Sequence, residues 1–262
     1  MTTILGITQY ASGEVIETAS AKNQKVCWFK AFMLRHRLLR PFEKKLFVCS
    51  KREIAEFPAF IAKTDEPRIQ TMPNLLRNKS IRYVAREKIN GQSATYFLIR
   101  HRHKFLKDAF EFGVCSRNFR LRKPDDSSYW RVAKKYQLET VLRQIIKQYD
   151  WVCIQGEIIG PKIQGNKYGV NTEAFYAFNV IKGGRKISCS LAEHELDPFH
   201  IPWAPMVHKD YQMPDTVADV LDFATGQSAL APVLREGVVL RNYEHGISFK
   251  AVSPRFLLKH DE

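Results

Sequence analysis

Apolar and polar residues alternate along much of this chain, and the alternation marks strands. Ile81 and Tyr83 lead toward Lys88, Gly91 follows three residues later, and the chain turns apolar again from Thr95 to Ile99. That pattern predicts strand, tight turn, strand. Residues 110–121, FEFGVCSRNFRL, alternate through a further strand carrying Arg117. A polar turn is expected over 123–128. Leu138, Val141, Leu142, Ile145, Ile146 and Tyr149 then recur at helical spacing, so 137–149 reads as an amphipathic helix. Strands are expected at 151–159, 174–181, 237–241 and 247–252. A helix opens at Asp215, carries Val217, Val220, Leu221 and Ala224, and stops at Gly226. Strands dominate and no run of βαβ units appears, which predicts an α+β domain of antiparallel sheets flanked by helices.

The first 50 residues follow a different pattern. Residues 4–10 suit a strand and 14–23 are polar, whereas 28–39 are apolar and basic together. Arg35, Arg37, Arg40, Lys44 and Lys45 cluster there, as on a basic amphipathic helix, a nucleic-acid-facing surface, or the solvated face of a small module. We therefore expect a small basic module over 1–50 and a main domain over 51–262. Residues 61–70, polar and of both charge signs, read as an ordered loop ahead of the main domain's first strand.

Composition narrows the classes. The chain has 262 residues, enough for a full core, with 45% hydrophobic and 26% charged residues, ordinary for a soluble globular protein. Its formal net charge of +14 favours a polyanionic partner, most simply nucleic acid. Five cysteines, with no C-x-x-C pair, argue against a disulfide framework or zinc site and for a reducing compartment. No apolar run approaches a membrane span, and Met1 to Ile4 do not open a signal peptide. We expect a cytoplasmic monomer without membrane contact.

Five short segments carry the candidate chemistry: KING (88–91), SRN (116–118), GEIIG (156–160), EGVVLR (236–241) and SFKAV (248–252). Each sets one or two charged groups on or beside apolar strand residues. An unpaired buried charge is costly, so each charge is expected to face a polar ligand or an opposite charge. Any one of them alone could be a strand-end charge in water. A lysine at the mouth of a turn serves as a nucleophile when burial or a neighbouring cation lowers its pKa. Gly91, lacking Cβ, lets backbone approach closely.

Taken together and in order, YVAREKING, FGVCSRN, IQGEIIGPK, EAFYAFNV, REGVVLR and SFKAVSPRFLLK resemble the motifs of ATP-dependent RNA ligases. These are covalent nucleotidyltransferases, as are DNA ligases and mRNA capping enzymes. FPAFIAKTDEPRIQ is similar to the run before the nucleophile in the branch whose extra domain is N-terminal. The resemblance covers roughly 57–259 and implies a nucleotidyltransferase domain of the ATP-grasp-like ligase kind. It implies ATP and Mg²⁺ or Mn²⁺ as cofactors, and RNA ends or a nicked RNA-containing duplex as partner. Lys88 would become lysyl-AMP. Ile89 and the backbone of Glu87 would lie beside adenine, and Phe178 would stack on it. Arg117 and Glu157 would contact the ribose, Glu236 would sit near the metal and Lys88, and Lys250 would reach the α-phosphate. The five basic residues of the N-terminal module, and Lys162, would face nucleic acid.

Three positions depart from the family pattern. Asn90 and Asn179 stand where aspartate is common, and Ser248 replaces the first lysine of a K-x-K. Lys162, Lys259 or Arg241 could substitute for that lysine. Twelve residues follow Lys250, too few for the OB domain expected of DNA ligases and capping enzymes or for the helical domain of nick-sealing RNA ligases. The expectation is thus an RNA ligase that joins a 3′-hydroxyl to a 5′-phosphate for RNA repair. A DNA ligase, a capping-type transferase and a catalytically weakened end-binding protein are the alternatives.

Overall fold

The computed structural model describes residues 54–122 and 125–260. The expected module at 1–50, its five basic residues and the boundary near residue 50 lie outside the described residues. Within them the strands are β1 (Ile54–Glu56), β2 (Arg82–Lys88), β3 (Gln92–His101), β4 (Ala109–Cys115), β5 (Phe119–Leu121), β6 (Trp151–Ile159), β7 (Ala174–Lys182), β8 (Arg185–Lys186), β9 (Met206–Gln212), β10 (Gly237–Asn242) and β11 (Ile247–Val252). The helices are α1 (Ser128–Lys135), α2 (Leu138–Ile145), α3 (Cys189–Leu196), α4 (Val217–Ala224) and α5 (Pro254–His260). None of these helices is long and apolar enough to cross a membrane.

The strands form two antiparallel sheets, in orders β1-β5-β4-β3-β6-β7-β8 and β11-β10-β2-β9, as the α+β expectation required. Strands β3 and β6 at the centre of the larger sheet are buried on both faces. Ala94, Tyr96, Leu98, Val152 and Ile154 pack under Val132, Val141, Leu142 and Leu196, from the helices α1, α2 and α3. On the opposite face Phe97, Cys115 and Cys153 pack with Ile61. The smaller sheet turns Tyr83, Ala85, Val238, Leu240, Phe249 and Ala251 toward Ile69, Val220 and Ala224. By strand alternation its other face carries Arg86, Lys88, Val239, Arg241 and Lys250, which line a cleft.

Several elements differ from the sequence reading for local reasons. The expected single strand over 110–121 is β4 and β5 joined by a tight turn, in which Ser116 N–H donates to Phe119 O (2.9 Å). Serine, arginine and asparagine suit that turn, and Arg117 sits at its tip. The helix expected over 137–149 is confined to Leu138–Ile145, because Gln137 (φ 49°) and Lys147 (φ 42°) bound it in left-handed conformations. Where a polar turn was expected to end at residue 128, α1 begins. The helix expected from Asp215 starts at Val217, with Thr216 Oγ1 capping Asp219 N–H (3.2 Å). Strand β9 buries only Tyr211 well, so its edge position left little alternation to detect.

Close backbone approach fixes the centre of the larger sheet. A Cβ on Gly156 would run into the Phe175 ring and come 2.5 Å from Tyr176 O. Overpacking of this kind costs ~1–3 kcal/mol. Gly156→Ala is therefore expected to lower the thermal unfolding midpoint by several degrees, measured by circular dichroism. An unchanged midpoint would contradict this packing.

Candidate active site

The chain leaves the smaller sheet at Lys88, the last residue of β2, and enters the larger sheet at Gln92. The expected strand–turn–strand is present, but it is a crossing between sheets and not a hairpin. Gly91 makes the crossing possible, since a Cβ there would strike Ile158 O and lie 2.9 Å from Glu157 Cγ. The Gly91 N–H instead lies close enough to the Glu157 carboxyl to favour its charged form.

Register then assembles the cleft. Gly237 pairs with Lys88, which brings Glu236 beside it: Lys88 Nζ lies 2.6 Å from Glu236 Oε1, and both side chains are largely buried. Lys250 on β11 pairs with Val239, one strand further along. From the larger sheet comes Glu157, opposite Ser93. Phe178 comes from a β-bulge: Gly156 pairs with Ala177 and Gln155 with Asn179, so Phe178 is the extra residue and faces the cleft. Arg117 reaches in from its turn and pairs with Asp65. The cleft holds about 350 Å³, within the range of small-ligand sites.

The charges are balanced across this space. Burial pushes the Glu157 carboxyl up to about 8, the nearby Glu236 adds to that, and Lys88 and Gly91 N–H oppose it. Burial holds Lys250 below the usual lysine range, with Lys88 contributing and Asp65 opposing. Glu236 also accepts from Asn90 Nδ2 (3.4 Å), while Asn90 N–H donates to Tyr168 Oη (2.8 Å). An aspartate at position 90 would set a third carboxylate against Glu236, so the asparagine suits this site. Asn90 Oδ1 is buried without a hydrogen-bond partner.

The other departures also have local explanations. Asn179 is buried and donates to Gln155 Oε1 (2.8 Å), so it serves the sheet interior and not the cleft. Ser248 pairs with Arg241 on the neighbouring strand. Of the three candidate substitutes for the missing lysine, Arg241 lines the cleft, whereas Lys162 and Lys259 are exposed and do not. Arg241 donates to Phe178 O (3.2 Å) and Glu66 Oε1 (3.2 Å), and its guanidinium lies 5.8 Å from the Phe178 ring centre.

Ile89 is buried with Ile159, Tyr168 and Ala204 at the apolar end of the cleft, near Phe178. Glu87 lies there too, but its N–H donates to Pro205 O (2.9 Å) and its carboxylate accepts from Ala229 N–H (2.9 Å) and Ser228 Oγ (2.5 Å). Two contributors carried no role in the sequence reading. Arg86 is buried, donates to Ala204 O (2.6 Å), pairs with Glu193 and lies over Trp203. A charge among the apolar residues of β2 was the available signal. The second is the segment 64–68. It lies along β11, with Lys250 N–H donating to Pro67 O (2.8 Å), and puts Thr64, Asp65 and Glu66 on the cleft rim.

Among the described residues no three His, Cys, Asp or Glu side chains are grouped to hold a metal by themselves. Glu236 and the unpartnered Asn90 Oδ1 are oxygen donors, which fits a hard divalent ion that keeps most of its ligands from water and phosphate.

The family model described as RNA ligase matches residues 81–259. No curated protein matches the chain. Solved structures of a Naegleria gruberi RNA ligase are similar. The form with pyrophosphate is 29% identical, with a TM-score of 0.68 over 79% of this chain and 60% of that one. A lysine-to-alanine variant with ATP and manganese is 28% identical, with a TM-score of 0.68 over 79% of this chain and 59% of that one. The chain thus spans about 60% of the length of these solved relatives. With the matched span running from the strand before Lys88 to the helix after Lys250, the chain belongs to the RNA ligase family.

Proposed function

We propose that this chain is the catalytic part of an ATP-dependent RNA ligase, joining a 3′-hydroxyl to a 5′-phosphate through lysyl-AMP. The observation that carries the reading is the Lys88–Glu236 contact of 2.6 Å inside a nucleotide-sized cleft. Lys88 Nζ attacks the α-phosphorus of ATP, the N–P bond forms and pyrophosphate leaves. Glu236 orients Nζ and takes its proton as the bond forms. Lys250 and Arg241 face the negative charge that develops on the phosphates, where preorganised cations stabilise the transition state. The base packs between Phe178 and Ile89, Glu157 holds a ribose hydroxyl, and Arg117 on the rim positions the ribose and the RNA end. The AMP then moves to the 5′-phosphate, and the 3′-hydroxyl displaces it.

The residues present fit a divalent ion, Mg²⁺ or Mn²⁺. Glu236 and Asn90 Oδ1 would hold it together with water and the phosphates. When bound it would supply positive charge against the triphosphate. Lys162, exposed and two residues from the cleft-lining Gln164, is suited to a backbone phosphate of the RNA. The Naegleria ligase structures with ATP, pyrophosphate and manganese support the same reading.

Incubation with α-labelled ATP tests the reading. The wild-type chain is expected to carry label through a denaturing gel, and Lys250→Ala to transfer it ~10²–10³-fold more slowly, the usual cost of one lost electrostatic stabiliser. A near wild-type rate in Lys250→Ala would remove its assigned role.

Glu157 gives a pH test. Its folded pKa is raised from 4.5 to about 8, so between those values the folded protein holds a proton that the unfolded chain has released. Stability should therefore fall as pH rises through that window. Glu157→Gln removes the titrating group, and its stability should fall less. Denaturant unfolding at the two ends of the window measures this. Parallel pH profiles for the two proteins would contradict the raised pKa.

A further inference from the structure

Strand β3 begins on the lip of the cleft, where Gln92 and Ser93 line it, and ends at its tenth residue, His101. At about 3.3 Å per residue the far end stands ~30 Å from the reacting lysine. There β3 and β4 are joined by residues 102–108, RHKFLKD, all of them exposed. Phe105 is 95% and Leu106 76% exposed, the former more than any other exposed large apolar side chain among the described residues. The foot of the connection is held in place. Arg102 Nε donates to Asp150 Oδ1 (2.7 Å) and its Nη2 to Gln148 O (2.8 Å), while Asp108 lies 3.6 Å from Arg100 Nε. The tip carries Lys104 and Lys107 on either side of the two apolar residues. Among the described residues no core cluster includes Phe105.

We infer that this connection is a second RNA contact, in which Phe105 stacks on an unpaired base while Lys104 and Lys107 neutralise the phosphates beside it. An aromatic face next to cations is the chemistry by which proteins hold single-stranded nucleic acid. The held foot lowers the ordering cost of binding at the tip. An apolar tip flanked by lysines also suits an anionic membrane surface. RNA is favoured because the same strand begins at the nucleotide cleft, so one polyanion can occupy both ends. The inference takes the identity of that polyanion from the ligase reading. It specifies the substrate further: an RNA unpaired about one turn of A-form duplex from the break.

The test is fluorescence anisotropy with two 5′-phosphorylated nicked RNAs, one unpaired ten nucleotides from the break and one paired throughout. Phe105→Ala should weaken binding of the first by about tenfold and leave the second nearly unchanged. Replacing Lys104 and Lys107 with serine should lower the slope of log affinity against log salt by about 1.4, that is ~0.7 for each single-strand phosphate released. Equal affinity of wild type and Phe105→Ala for the first RNA overturns the inference. So does loss of binding by Phe105→Ala to phosphatidylserine vesicles with RNA binding intact. Label transfer from ATP by the wild-type chain, measured in parallel, separates the two readings: absent label with a Phe105-dependent RNA contact sinks the ligase reading alone.

Discussion

The chain can pass directly from one sheet to the other at Ile89–Gly91 because residue 91 carries no side chain. The turn packs against Ile158 O and the Glu157 side chain, space that any Cβ would need. That approach sets Lys88, from the smaller sheet, and Glu157, from the larger one, into the same cleft. The rest of the site follows from antiparallel register. Gly237 opposite Lys88 delivers Glu236, Lys250 opposite Val239 delivers the second lysine, and the bulge at Phe178 turns a ring toward the same space. Lys88, Glu157, Phe178 and Lys250 are thereby fixed on strands, where backbone hydrogen bonds hold their spacing.

Charge balance is the second constraint. Two lysines share a partly buried volume with Glu236 and Glu157, and Lys88 would be costly there without the Glu236 carboxylate beside it. Asn90 relieves the balance by giving Glu236 a neutral donor where a third carboxylate would repel it. Ser248 removes a cation, and Arg241, paired across the strands from it, keeps one in the cleft. Both substitutions preserve an arrangement in which negative charge from a phosphate would be met by cations already in place.

Much of this was legible in the sequence. Strands β2, β3, β6, β7, β10 and β11 are long, apolar and regular, and the charges interrupting them marked Lys88, Glu157, Glu236 and Lys250. Other parts were hidden for physical reasons. The sequence could not say that β2 and β3 belong to different sheets, because strand–turn–strand looks alike in a hairpin and in a crossing. The bulge at Phe178 depends on the partner strand. Helix α3 and strand β9 have weak amphipathic patterns, with few buried residues each. Arg86 was hidden because its partners, Ala204 and Glu193, lie more than a hundred residues away.

The central claim is that the lysine at the crossing between the sheets takes up AMP. Peptide mapping by mass spectrometry, after incubation of the wild-type chain with ATP and Mg²⁺, tests it most directly. The account predicts an acid-labile AMP adduct on the peptide containing Lys88. An adduct on the peptide containing Lys250, or on any other lysine with Lys88 unmodified, would contradict it.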